Sequence, residues 1–153
     1  MSKTSSSGGF TPGPGLGSGN ISRTGEKFPQ LRVLVVDDEP LIRWSLRETL
    51  EQSGHTVVEA EDRDSALRRL SEADVPFDVV LLDYRMPGSN DLSLLAAIRR
   101  LTPSSAVIMM TAFDTPEITA GALDLGAYRL IRKPFEVSDV AALVLQAHTL
   151  SAP

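Results

Sequence analysis

The chain has 153 residues, 42% of them apolar and 23% charged, with no cysteine and a net charge of −5 at neutral pH. That length supports one ordinary domain with its own core, and the missing cysteines exclude a disulfide framework, a thiolate metal site and a thiol nucleophile. No run approaches the apolar length of a bilayer-spanning helix, and the polar start Met1-Ser2-Lys3-Thr4 lacks the apolar core of a secretory signal, so a cytoplasmic protein is expected.

Residues 1–29 hold seven of the eleven glycines and three prolines among many serines. Such a stretch buries too little apolar surface to offset its ordering entropy, so a flexible tail is expected there. It carries Lys3, Arg23 and Lys27 against Glu26, a charge of +2 within the total of −5, so the remainder carries −7. A folded part this acidic is a poor partner for nucleic-acid backbones and is consistent with a cation site.

From Leu31 onward, short β-rich runs alternate with helix-period segments. Leu31 to Val36 is almost wholly apolar, as expected of a strand covered on both faces. Pro40 suits the first turn of a helix, in which Ile42, Leu46 and Leu50 make one buried face. Gly54 stops it. A second strand runs from His55 to Ala60, followed by a helix from about Asp64 to Ala73 with Ala66, Leu67 and Leu70 inward. Phe77 to Asp83 is a third strand; after the Pro87-Gly88 turn, Leu94, Ile98 and Leu101 face inward on a third helix ended by Thr102-Pro103. Ala106 to Thr111 is a fourth strand, and Pro116 opens a helix carrying Ile118, Ala122 and Leu125, with Gly126 as its cap. Tyr128 to Arg132 is a fifth strand, and Val140, Val144 and Ala147 line a last helix. Five βα units imply an α/β, doubly wound parallel sheet with right-handed crossovers, and 2-1-3-4-5 is its natural five-strand order.

Parallel strands share a rim at their carboxyl ends, where open α/β sheets bind ligands. Asp37, Asp38, Asp83, Thr111 and Lys133 all stand there. Three carboxylates in one crevice repel one another unless a cation offsets them. Hard oxygen ligands in an incomplete cage suit Mg²⁺, and the absence of a neighbouring His or Cys argues against zinc or copper. With the metal in place, one carboxylate can attack phosphorus, while Lys133 supplies a fixed cation and Thr111 a donor for the phosphoryl oxygens.

Val35-Val36-Asp37-Asp38-Glu39-Pro40, Leu81-Leu82-Asp83-Tyr84-Arg85-Met86-Pro87-Gly88, Met110-Thr111-Ala112 and Lys133-Pro134-Phe135 together resemble the receiver domain of bacterial two-component response regulators. The resemblance covers about residues 30–150 and implies the flavodoxin-like (βα)5 fold. It implies that Asp83 is the phosphoacceptor, charged by a histidine kinase or phosphotransfer protein. Asp38, Asp83 and the backbone carbonyl of Arg85 would ligate Mg²⁺, with Asp37 acting through a water. Thr111 and Lys133 would bind the phosphoryl oxygens, and the Lys133–Pro134 bond would be cis. Output would pass through the surface of the fourth helix, fifth strand and fifth helix to a protein target, with a homodimer left open and no contact with nucleic acid or membrane. Leu41-Ile42-Arg43-Trp44-Ser45-Leu46 also resembles receivers of the σ54-activator type. The last helix leaves no room for an output module before Pro153, so none is expected.

Two positions depart from the family pattern. Leu130 stands where a Tyr or Phe usually switches inward, so that movement is in question at this position, and Tyr128 is not assumed to replace it. Asp91 stands where Gly is usual and is expected to cap the third helix. Taken singly, each rim residue has a structural reading: Asp37, Asp38 and Asp83 as turn or cap residues, Thr111 as a β-branched strand residue, Lys133 as a surface charge. Only their convergence favours chemistry. Glu39 reads as a solvated helix-start acid, and His55 and His148 as surface or edge residues. Gly121 reads as a close helix contact, or as a pliable point in a helix that moves on phosphorylation. Two rival functions are a phosphate-independent interaction module, favoured by Leu130, and a haloacid-dehalogenase-like phosphatase. The phosphatase needs an acid two residues after the nucleophile, where Arg85 stands, so no enzyme acting on other molecules is expected.

Overall fold

A computed structural model describes residues 29–89 and 91–151. The tail expected over residues 1–29 lies outside them except for Pro29. Five strands and five helices alternate: β1 (Arg32–Val36), α1 (Pro40–Gln52), β2 (Thr56–Ala60), α2 (Arg63–Glu72), β3 (Val79–Asp83), α3 (Ser93–Leu101), β4 (Ala106–Thr111), α4 (Pro116–Asp124), β5 (Arg129–Arg132) and α5 (Val137–Ser151). The sheet is parallel throughout, in the expected order β2-β1-β3-β4-β5.

The period-two alternation of the strands divides the core between two faces. Leu34, Val36, Val80, Leu82, Val107 and Met109 point to the side covered by Ala66 of α2, Leu94, Leu95 and Ile98 of α3, and Ala122 of α4. Val33, Val35, Val79, Leu81, Ile108 and Met110 point to the side covered by Leu46 and Leu50 of α1 and by Val140, Val144 and Ala147 of α5. Every residue of β3 and β4 is buried, which is why their runs show no polar alternation. Burying one such Leu or Val contributes about 1.5–3 kcal/mol.

Turn chemistry fixes the helix ends. Asp62 and Ser65 form a reciprocal capping box on α2, and the Thr115 hydroxyl accepts from the Ile118 amide at the start of α4. Gly126 follows α4 at φ +98°, a conformation that a side chain would strain.

Several expectations need correcting. Leu101 is 54% exposed and Leu125 39%; Leu101 closes α3 and Leu125 lies just past α4, so both fall beyond the turns that meet the sheet. His55 is not a surface residue. It is 5% exposed, and its Nδ1 accepts a hydrogen bond from the Leu31 amide at 3.1 Å. Burial pulls its imidazole below the usual histidine pKa, against the opposing charge of Asp78. Asp91 accepts from the Ser93 amide at 2.9 Å, but the N-cap position itself is Leu92. Gly121 makes the close contact: a Cβ there would lie 2.7 Å from Cδ1 of Leu92. Leu130 is half-buried against the α2–α3–α4 side, while Tyr128 packs on the opposite side.

Candidate functional site

β1 and β3 are central neighbours, and Val36 pairs with Leu82, so Asp37 and Asp83 leave the sheet side by side. The next register brings Asp83 opposite Met110 and Thr111 opposite Arg132. The Lys133 amide then donates to the Thr111 carbonyl at 2.7 Å, and the Lys133–Pro134 peptide is cis.

Lys133 is the hub. Its Nζ lies 2.9 Å from Asp37 Oδ2, 2.8 Å from Glu39 Oε1 and 3.4 Å from Asp83 Oδ1. Carboxylate oxygens of Asp37, Asp38, Glu39 and Asp83 all lie within 4.8 Å of one another. Glu39 is therefore a partner of the rim cation, and reading it as merely solvated missed this. The tie spans 94 positions of sequence, which no local pattern encodes. Thr111 is buried, and its Oγ1 accepts from the Phe113 amide at 3.0 Å. It makes no hydrogen bond to the carboxylates among the described residues. The Arg85 amide lies 3.5 Å from Asp83 Oδ1, and the Arg85 guanidinium stacks 5.1 Å from the centre of the Phe113 ring.

Charge follows this geometry. Burial pushes the Asp83 carboxyl up to about 7, with the Asp37 charge adding to it and Lys133 and the Arg85 amide opposing. Asp37 is raised as well, chiefly by burial, against the Lys133 ammonium and the Glu39 amide. Burial alone would depress Lys133; its contacts with Glu39 and Asp37 and the charge of Asp83 outweigh that and hold it above the ordinary lysine value.

One ammonium against four carboxylates leaves the crevice strongly negative. Asp37 Oδ2 is buried and accepts no hydrogen bond, its contact with Lys133 being an ion pair without hydrogen-bond geometry. A buried oxygen that accepts no hydrogen bond, among other hard oxygens, is the donor set a small divalent cation requires, so these residues fit Mg²⁺. A shallow hollow opens beside Asp38, bounded by Arg85, Met86, Pro87, Gly88 and Ser89. Its wall is a tight turn in which Met86 and Ser89 exchange backbone hydrogen bonds and Gly88 takes φ +78°.

The sheet order defines a doubly wound α/β protein, and its acidic rim stands at the strand-order reversal, where such folds bind ligands. Residues 33–145 match the family model for the response regulator receiver domain, and the chain belongs to that family. Its class of work is phosphorelay signal transduction; phosphoryl transfer to an aspartate and dependence on Mg²⁺ are general to the family. The chain is 39% identical over 116 residues to the phosphate regulon transcriptional regulatory protein PhoB of Klebsiella pneumoniae, covering 74% of this chain and 49% of that protein. It is 38% identical over 115 residues to the DNA-binding transcriptional regulator NtrC of Salmonella typhimurium, covering 75% of this chain and 24% of that protein. The chain thus spans about half of one relative and a quarter of the other. Among solved structures it resembles a CheY-like receiver domain protein from Methanospirillum hungatei, with a TM-score of 0.75, 26% identity, and 80% and 97% of the two chains covered. It also resembles NtrX from Brucella abortus, with a TM-score of 0.72, 33% identity, and 80% and 28% covered.

Proposed function

We propose that Asp83 accepts a phosphoryl group from a histidine kinase or phosphotransfer protein and that the modified state is read through the α4, β5 and α5 surface. The observation that carries this reading is the position of the Asp83 carboxylate: buried at the end of a central strand, 3.4 Å from Lys133 and within the acidic cluster. Asp38, Asp83 and the Arg85 carbonyl would hold Mg²⁺, with Asp37 acting through a water. When bound, the ion supplies neutralising charge for the carboxylates and the incoming phosphoryl oxygens.

The protein's own groups do the rest. An Asp83 oxygen forms the new bond to phosphorus as the bond to the donor nitrogen breaks, and the donor imidazole leaves with the electron pair. Lys133 already stands at the oxygen side of Asp83, so it meets the phosphoryl charge without travelling far. Thr111 Oγ1 accepts from the Phe113 amide, which leaves its own proton free to donate to a phosphoryl oxygen. Catalysis is confined to the domain's own phosphorylation and hydrolysis: Arg85 stands where an acid for turnover would be needed, and it is paired with Phe113. No described helix is long and apolar enough to cross a membrane, which fits cytoplasmic work.

Intact mass after incubation with acetyl phosphate and Mg²⁺ tests the reading. One phosphoryl adduct, lost in Asp83→Ala and in EDTA, is expected. A folded protein that gains no adduct would instead be an interaction module that works without phosphate.

A further inference from the structure

The Asp37–Asp38 turn is tied from its outer side by a residue that the phosphorylation chemistry does not use. Arg43, one turn into α1, donates from Nη1 to the Asp37 backbone carbonyl at 2.6 Å and from Nε to Glu59 Oε1 at 3.1 Å. Glu59 sits on β2 opposite Val35, and its other oxygen accepts from Arg47 at 2.5 Å. The Arg43 side chain is only 16% exposed. Its planar fork is thus held at one end by the edge strand and at the other by the peptide joining the two acidic residues.

That peptide plane fixes where Asp38 leaves the chain and how Asp37 turns inward. The turn has other ties: the Asp37 amide to the Ala60 carbonyl at 3.1 Å, the Glu39 amide to Asp37 Oδ1 at 2.9 Å, and the Lys133 ammonium on the Asp37 and Glu39 carboxylates. None of these reaches the Asp37 carbonyl. From these contacts we infer that Arg43, anchored by Glu59, is a positioning residue for the metal-binding carboxylates of Asp37 and Asp38. The inference rests on the proposed Mg²⁺ site. Groups that orient metal ligands from behind typically set affinity by 10–100-fold.

A bland role, pinning α1 to β2, predicts something different. Arg47 pins the same helix to the same glutamate but touches neither acidic residue, so it separates the two roles. Mg²⁺ binding is measured by titration calorimetry on the wild type, Arg43→Gln and Arg47→Gln, with urea melts of each in EDTA. Arg43→Gln is expected to weaken Mg²⁺ about tenfold or more, while Arg47→Gln stays within twofold and both lose similar stability. Equal Kd shifts in the two variants, or a native Kd in Arg43→Gln, would overturn the inference while leaving the site reading intact. A wild type that binds no Mg²⁺ at all would refute the site reading and this inference with it. Should Arg43→Gln fail to fold, Glu59→Gln takes its place: it frees the guanidinium's anchor, and a Kd weakened at least threefold is expected, an unchanged one contradicting the role.

Discussion

Asp83→Asn keeps the shape of the side chain and removes its charge, so in metal-free protein it isolates the cost of ionising this carboxylate. Its pKa rises from 3.8 to about 7 on folding. A folded pKa above the unfolded one means that the native state holds the proton more tightly. The corresponding stability is complete below about pH 4 and is lost as pH rises through 7. At 1.36 kcal/mol per unit, the full charge costs about 4 kcal/mol once pH exceeds 7. At pH 5 the same arithmetic gives about 2 kcal/mol, because only the unfolded chain has then ionised. Asp83→Asn is therefore expected to gain about 2–3 kcal/mol over wild type between pH 5 and pH 8 in EDTA, read from urea melts of both proteins. Saturating Mg²⁺ should stabilise the wild type at pH 8 far more than the variant. A gap between the two proteins that is the same at both pH values would refute the reasoning, since Asp83 would then not be a carboxylate strained by burial.

Other outcomes follow from the same contacts. Lys133→Met leaves Asp37 and Asp83 buried without their ammonium; a loss of about 3 kcal/mol at pH 8 in EDTA is expected, largely recovered by Mg²⁺, and unchanged urea midpoints would contradict it. His55 has a lowered pKa, so its contribution is complete above pH 6.5 and fades as pH falls below that value. His55→Gln should flatten this acid limb of the stability profile, and an identical slope from pH 7 to 5 would argue against it. Gly121→Ala adds about 1 kcal/mol of helix preference but drives a Cβ against Leu92. A double-mutant cycle should therefore show the substitution more favourable by about 1 kcal/mol in a Leu92→Ala background than alone; strict additivity would mean that the contact carries no energy.

What could be read from the residues alone was whatever repeats locally. Leu31 to Val36 and Ala106 to Met110 show themselves as doubly covered strands because every position is apolar, and the polar residue ending each run marks the rim. Pro40, Pro116 and Gly126 punctuate helices through their own backbone limits. Contacts between distant segments were hidden. Arg43 meets Glu59 across 16 positions and Lys133 meets Glu39 across 94, and an arginine or glutamate in a helix's first turns looks the same whether solvated or tied. A charged Glu59 between the apolar Val58 and Ala60 of β2, with Arg43 and Arg47 spaced four apart on the preceding helix, was the one available signal. His55 escaped because burial of an edge histidine depends on a hydrogen bond from the Leu31 amide, 24 positions away. Leu101 and Leu125 misled because the periodic pattern continues past the turns that meet the sheet.

Borohydride reduction of the phosphorylated protein tests the central claim most directly, because it converts an aspartyl phosphate to homoserine at the modified position. Peptide mapping after treatment with acetyl phosphate and Mg²⁺ should find homoserine at residue 83 alone. Homoserine at residue 37 or 38, or intact aspartate at all three in a protein that carries phosphate, would contradict the account.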